Sequence, residues 1–384
     1  MSALTRIRAH PDALRPGLSD DRAMWRASIP ALAAGAVVLA GCGGGPATKV
    51  GPAAETKAAR TNGPIAFERY AHAAQDDRSA QIFVRATNGA VRQLTREQGG
   101  AFAPAWSPDG KRIAYERASG RRHLIYTMNA DGRDAGLLAT GCTAAKRCIF
   151  DIAPAYSPDG RRVSFERVYG PLRRRSAPAE SFEYSPRTDL MVVDASGGEP
   201  RAIASWGADP QPWDGAPRWS PDGSRLVLPI GTFKHHNEHT ALGTALVVLG
   251  SNGRGQRRIT PWDLGAGHPD WSPDGRRIVF NSEGGHSRST YVVRPDGGGL
   301  TRLVKGGARL THTGQTIAPA WSPDGRQIVF TTEDQECSSL RPHGCDDVVL
   351  SFDVYVMNAD GTGAHHVTSA PQFEARPAWG VGGR

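Results

Sequence analysis

Apolar residues recur at i and i+2 in one short context along most of the chain: Ile113/Tyr115, Val163/Phe165, Leu226/Leu228, Ile278/Phe280 and Ile328/Phe330. A period of two marks a strand with one buried face. Each pair follows a Ser-Pro-Asp-Gly tetrapeptide, at 107–110, 157–160, 220–223, 272–275 and 322–325, and each tetrapeptide follows an aromatic residue, Trp106, Tyr156, Trp219, Trp271 or Trp321. Proline presets φ at the second turn position and glycine accepts the positive φ that closes the turn, so the tetrapeptide joins two antiparallel strands. A proline stands two residues before each aromatic, and Pro377-Ala378-Trp379 repeats that beginning without a turn.

Two more strands are predicted in each repeat. One is rich in Val, Ile, Tyr and Met (124–128, 190–193, 246–249, 291–293, 354–357), and a short one follows, such as 258–260 or 300–304. Between them lie tight turns: Asn88-Gly89, Asp131-Gly132, Gly197-Gly198, Asn252-Gly253, Asp296-Gly297 and Asp360-Gly361. The aromatic anchors stand 50 to 63 residues apart. Four strands at that period describe a propeller blade, and the 3.6-residue period of helical repeats is missing. Ahead of the first full repeat, 65–68, 82–84 and 91–95 supply the second, third and fourth strands of a blade that lacks its first, and 377–379 supplies that strand. The expected fold is all-β: a six-bladed propeller over 63–384, its ring closed by the C-terminal strand joining the N-terminal blade, which leaves no long open edge.

The Pro-x-Trp-Ser-Pro-Asp-Gly-x-x-Ile-x-Phe pattern resembles the WD40-like repeat of the TolB family over roughly residues 63–380. The resemblance implies a propeller of the bacterial envelope and is far more specific for fold than for function. The amino-terminal α/β domain of TolB has no room between Cys42 and Gly63, so the roles of that domain do not carry over.

Residues 29–40 form an apolar run too short to span a bilayer, ending in Leu39-Ala40-Gly41-Cys42. This resembles a bacterial lipobox, which implies a signal peptide over 1–41 and a diacylglycerol-modified Cys42. Met24-Trp25-Arg26, just before the apolar run, reads as an alternative start. Residues 42–62, rich in Gly, Ala, Pro and Thr, read as a flexible tether. The expected location is extracytoplasmic and membrane-anchored, on the periplasmic or outer surface. Cys142 with Cys148 and Cys337 with Cys345 form local pairs in loops, which suits disulfides in an oxidising compartment. A zinc site is the competing reading, at spacings poor for a metal.

The net charge is +8, of which the leader accounts for five Arg against three Asp. No basic patch interleaved with aromatics appears, so no nucleic-acid partner is expected. A gated peptidase is excluded, because the chain contains no Gly-x-Ser-x-Gly.

Antiparallel strands put the Ser-Pro-Asp-Gly turns and the short Gly turns on one face of a propeller. Length variation (69–80, 141–151, 168–188, 205–215, 231–244, 282–289, 305–315 and 332–352) falls on the other face, where binding is expected. That face carries Trp206, Trp213 and Trp262, which could stack on a glycan or anchor a peptide, or simply pin the loops. It also carries Arg173-Arg174-Arg175, readable as a solvated run, and His72, His286, His312 and His343. His235, His236 and His239 around Glu238 could hold a divalent metal or belong to a polar loop. His268 stands in an innermost strand before Pro269 and is expected to line the channel near Asp270, with Asp151, Asp214 and Glu374 at comparable places. The leading expectation is a monomeric, non-enzymatic lipoprotein without a resident cofactor that binds an envelope protein, peptide or glycan. The alternative is a metal-dependent propeller enzyme of the polysaccharide-lyase kind.

Overall fold

The computed structural model describes residues 60–71, 80–120, 122–171, 173–176, 181–213, 215–232, 243–282, 289–303, 315–337, 340–341, 344–345, 348–368, 370 and 372–382. Among these residues every regular element is a strand. The strands form antiparallel groups, each ordered as the chain runs. Ala101–Trp106, Arg112–Ser119, Arg122–Asn129 and Gly136–Leu137 make one group, and Ala266–Trp271, Ile278–Ser282, Ser289–Val293 and Thr301–Arg302 make another. The group of Cys148–Tyr156, Arg162–Tyr169, Arg187–Asp194 and Arg201–Trp206 is joined to the first by one parallel pairing, His123 with Phe150. In the group built on Arg225–Thr232 and Gly243–Gly250 the first strand is split into Gln211–Pro212 and Arg218–Trp219. Glu374–Val381 pairs with Asn62–Arg69, which continues into Gln81–Arg85 and Val91–Gln93.

The period-two pairs read from the sequence are core residues: Ile113, Tyr115, Val163, Phe165, Leu226, Leu228, Ile278, Phe280, Ile328 and Phe330 are all fully buried. They pack between neighbouring groups, with Phe165 and Val163 against Ala114 and Ile125, and Phe280 and Ile278 against Val227 and Leu246.

The five Ser-Pro-Asp-Gly turns share one hydrogen-bond scheme. Each Ser Oγ donates to the Asp Oδ1 at 2.5–2.6 Å. That same oxygen accepts the amide two residues on, at 3.0–3.1 Å. The Ser220 hydroxyl, followed by the Ser224 amide, holds the Asp222 carboxyl down to about 2. Arginines that follow the turns lie over the anchoring tryptophan of the next repeat: Arg162 on Trp219 at 4.8 Å, Arg225 on Trp271 at 5.1 Å and Arg277 on Trp321 at 4.7 Å. The repeated motif thus ties neighbouring groups together at three junctions.

The short Gly turns do the same at the outer edge. Gly253 has φ +82° and its Cα abuts Ile203, where an added Cβ would stand 1.8 Å from the carbonyl oxygen. Only glycine tolerates both the conformation and the approach.

Two expectations need correction. The connection 332–352 is not a plain loop, because Gln327–Cys337 and Val348–Asn358 stay paired out to Cys337 opposite Val348. Backbone pairing extends there without needing an apolar face. The fourth strands are also shorter than predicted, ending at Arg258 and Arg302. A threonine hydroxyl takes over where one of them stops: Thr260 Oγ1 accepts the Leu246 amide at 2.8 Å.

Candidate functional site

The innermost strands carry the tetrad x-Pro-y-aromatic, and a local irregularity aims part of it inward. Ala103, Ala153, His268, Ala318 and Arg376, each directly before its proline, all have φ between +46° and +59°. Strand register shifts at the same places, between Phe102 and Ala105, Ile152 and Ala155, Gly267 and Asp270, and Ile317 and Ala320. Proline disfavours the right-handed helical region for its predecessor, and the left-handed region costs a non-glycine residue about 1–2 kcal/mol. Buried carboxylates offset that cost by accepting the amide that the bulge leaves free. Glu68 Oε1 accepts the Ala103 amide at 2.6 Å, and Glu116 Oε2 accepts the Ala153 amide at 3.3 Å.

These bulges converge on a cavity of about 460 Å³. Ala103, Ala153, Ala216, His268, Ala318 and Arg376 all line it, and so do the prolines that follow them except Pro217. Comparing the tetrads with one another exposes what is special. Position x is alanine except for His268 and Arg376, and position y is alanine except for Arg218 and Asp270. Three of these side chains, Arg218, His268 and Arg376, line the cavity, and the fourth, Asp270, stands beside Arg218.

Arg218 and Asp270 face each other, Nε to Oδ1 at 3.8 Å. Asp270 Oδ2 accepts the Trp321 amide at 2.7 Å. Burial pushes the Asp270 carboxyl up to about 6, against the opposing pull of Arg218 and that amide. Burial likewise lowers the Arg218 guanidinium, and its Nη1 meets no acceptor. Arg376 lies 3.5 Å from Glu68, and Glu116 is paired with His123, whose ring lies between Phe102 and Phe150. Phe150, Glu166, Ser185, Thr188, Gln211 and Trp213 also line the cavity.

Of the residues singled out in the sequence, the structure brings His268 and Trp213 to the cavity. Trp206 is 9% exposed and packs in the core with Leu190, Leu228 and Trp219, and Trp262 lies against the same cluster with Arg258 over its ring at 5.6 Å. Those two tryptophans hold connections onto sheets. Asp151 and Glu374 do not line the cavity: Asp151 is buried against Arg167 at 2.7 Å, and Glu374 accepts Arg69 and the Thr368 hydroxyl. Cys142 and Cys148 form a disulfide. Among the described residues, the one group of three potential metal ligands is Cys142, Cys148 and Asp151, and the disulfide and the Arg167 pair already occupy it.

Arg173, Arg174 and Arg175 fall in a strand, Arg173–Ser176, paired with Ser181–Tyr184. Cys337 and Cys345 lie in the strands Gln327–Cys337 and Gly344–Cys345. The side chains of these five residues lie outside the described ones, as do Cys42, His72, Asp214, His235, His236, His239, His286, His312 and His343 altogether. Sequence reading missed Arg218 and Arg376. The signal was present in the departures from alanine within the tetrads.

The antiparallel groups and the converging inner strands define an all-β propeller protein. Residues 182–338 match the family described as the TolB beta propeller domain. The Tol-Pal system protein TolB of Bordetella pertussis is 27% identical over 147 residues, covering 29% of this chain and 33% of the relative. The chain thus matches about a third of that relative's length. Among solved structures, TolB from Acinetobacter baumannii superposes with a TM-score of 0.58 at 18% identity, covering 83% of this chain and 66% of that one. A putative TolB from Agrobacterium tumefaciens gives 0.51 at 19% identity, covering 84% and 92%. At these identities the structural likeness establishes the fold alone.

Proposed function

We propose that this chain is an extracytoplasmic, non-enzymatic TolB-like propeller that binds a protein or peptide partner at its cavity and on the adjoining face of long connections. The observation that carries this reading is the replacement of alanine by Arg218, His268 and Arg376 around one cavity, with Asp270 beside Arg218. A rigid scaffold that presents both apolar and polar groups in one recess is the usual form of a binding site. The curated relatives named for the Tol-Pal system support an envelope setting.

The propeller is read as six-bladed and closed over 63–384, monomeric, with 42–62 as tether and 1–41 as signal peptide. Support for closure comes from the pairing of Ile65 with Trp379 and from Asn62 Oδ1, which accepts the Asp324 amide at 3.2 Å. Cys42 is the proposed lipid-bearing residue. Labelling with a fatty-acid analogue is expected to mark the native protein and not Cys42→Ser.

The binding reading is tested by cross-linking in envelope preparations. Trp213→Ala is expected to lose a cross-linked partner that the native chain captures. Unchanged cross-links in the folded variant would remove the assigned face.

A further inference from the structure

We propose that the cavity seats the free C-terminal carboxylate of a polypeptide, with the Arg218 guanidinium as its anchor. This deepens the reading above and rests on it for the polypeptide nature of the ligand. The charges around the cavity are unequally compensated. Glu116 is held by His123 and the Ala153 amide, and Arg376 by Glu68. Among the described residues Arg218 has Asp270 alone, at 3.8 Å, a separation too long for the direct bidentate pairing that a guanidinium favours. Asp270 meanwhile spends an oxygen on the Trp321 amide. Among the described residues the guanidinium is therefore short of acceptors, its side chain lines the cavity, and a carboxylate is the group whose geometry matches it.

A second, independent orphan narrows the ligand. Gln211 is 3% exposed, lines the same cavity, and its Oε1 meets no donor. The terminal amide torsion of glutamine is soft, so the group can turn toward a ligand. A peptide terminus supplies both missing partners, a carboxylate for Arg218 and a backbone N–H for Gln211. The wall also carries Phe150, Ile152, Pro154, Val168 and Trp213, beside Glu116, Glu166, Ser185 and Thr188. Its apolar part suits an apolar side chain beside the carboxylate.

The internal repeats suggest the control variant. Ala105/Ala155 and Ala320/Ala378 occupy the positions of Arg218 and Asp270 in the other tetrads, so Arg218→Ala with Asp270→Ala restores the ordinary inner strand. Calorimetry on the full chain would compare N-acetyl-Ala-Ala-Leu as free acid, the same peptide as carboxamide, and galacturonate. The acid is expected to bind about tenfold or more tighter than the amide, the worth of one charge-assisted hydrogen bond. The double variant, folded by circular dichroism, should lose that preference, and Asp270→Asn should enlarge it by removing a competing anion.

Equal binding of acid and amide, or a preference retained by the double variant, overturns the seat. Galacturonate binding in place of the peptide overturns the peptide source. If the double variant loses no carboxylate preference yet Trp213→Ala still abolishes the cross-linked partner, the seat falls and the scaffold reading stands. If Trp213→Ala also leaves every cross-link intact, both fall.

Discussion

Arg218 and Asp270 stand 3.8 Å apart across the junction of two neighbouring sheets, at positions that are alanine in the other repeats. Both are partly buried, and that burial pushes the Asp270 carboxyl up to about 6. From about pH 4 to pH 6 the folded chain holds a proton that the unfolded chain has released. Stability contributed by this group is therefore greatest at low pH and declines as pH rises through 6. Thermal unfolding between pH 4 and 7 should show a steeper decline for the native chain than for Asp270→Asn, in which the buried Asp151 and Glu374 carboxyls still contribute. Parallel curves would assign it to another group.

Gly253 and Gly120 both adopt positive φ, +82° and +63°, but their surroundings differ. A Cβ at Gly253 would collide with the Ile203 carbonyl, whereas nothing lies within 4 Å of one at Gly120. Gly120→Ala should cost about 1 kcal/mol, the conformational term alone. Gly253→Ala should cost more than about 3 kcal/mol, because backbone must move as well. Urea midpoints of the two variants measure the gap, and similar midpoints would mean the junction yields easily.

Arg167 donates to both oxygens of Asp151, at 2.7 and 2.8 Å, and also to the Thr140 carbonyl, with both side chains almost fully buried. Arg167→Met leaves a buried carboxylate without its cation and should destabilise by about 3–5 kcal/mol. Adding Asp151→Asn removes the stranded charge, so the double variant should recover part of the loss. Chemical denaturation of the set is the measurement, and a double variant weaker than the sum of the singles would refute the coupling.

The Cys142–Cys148 disulfide closes a short segment just before the strand that carries Asp151. A loop of this size restricts the unfolded chain by about 2 kcal/mol. Cys142→Ser with Cys148→Ser should lower stability by that amount under oxidising conditions and abolish any response to dithiothreitol from this pair. A native chain indifferent to the reductant would contradict it.

The strands and their turns were legible in the sequence because five copies of one turn repeat with little drift, and the period-two pairs behind them are all core. The cavity was only half legible. His268 was found because a histidine before proline is conspicuous, but alternation alone does not reveal a left-handed bulge, and that bulge is what aligns His268 and Arg376 with the alanines of other repeats. Trp206 read as a loop residue because it follows a short strand. Pairing of Thr188 with Trp206 carries the strand one step further and turns the indole into the core. The stretch after Thr332 read as a loop for its polarity, although a ladder asks only for backbone partners.

The pairing of Glu374–Val381 with Asn62–Arg69 has a consequence for how the protein is made. On the ribosome, the strand Asn62–Arg69 emerges early and must wait for nearly the whole chain before its neighbour exists. Its exposed edge is a template for mispairing throughout that interval. A transcript truncated anywhere before residue 374 yields a chain whose first sheet never receives that strand, so the same contact that finishes the native protein also marks incomplete ones for chaperones and proteases.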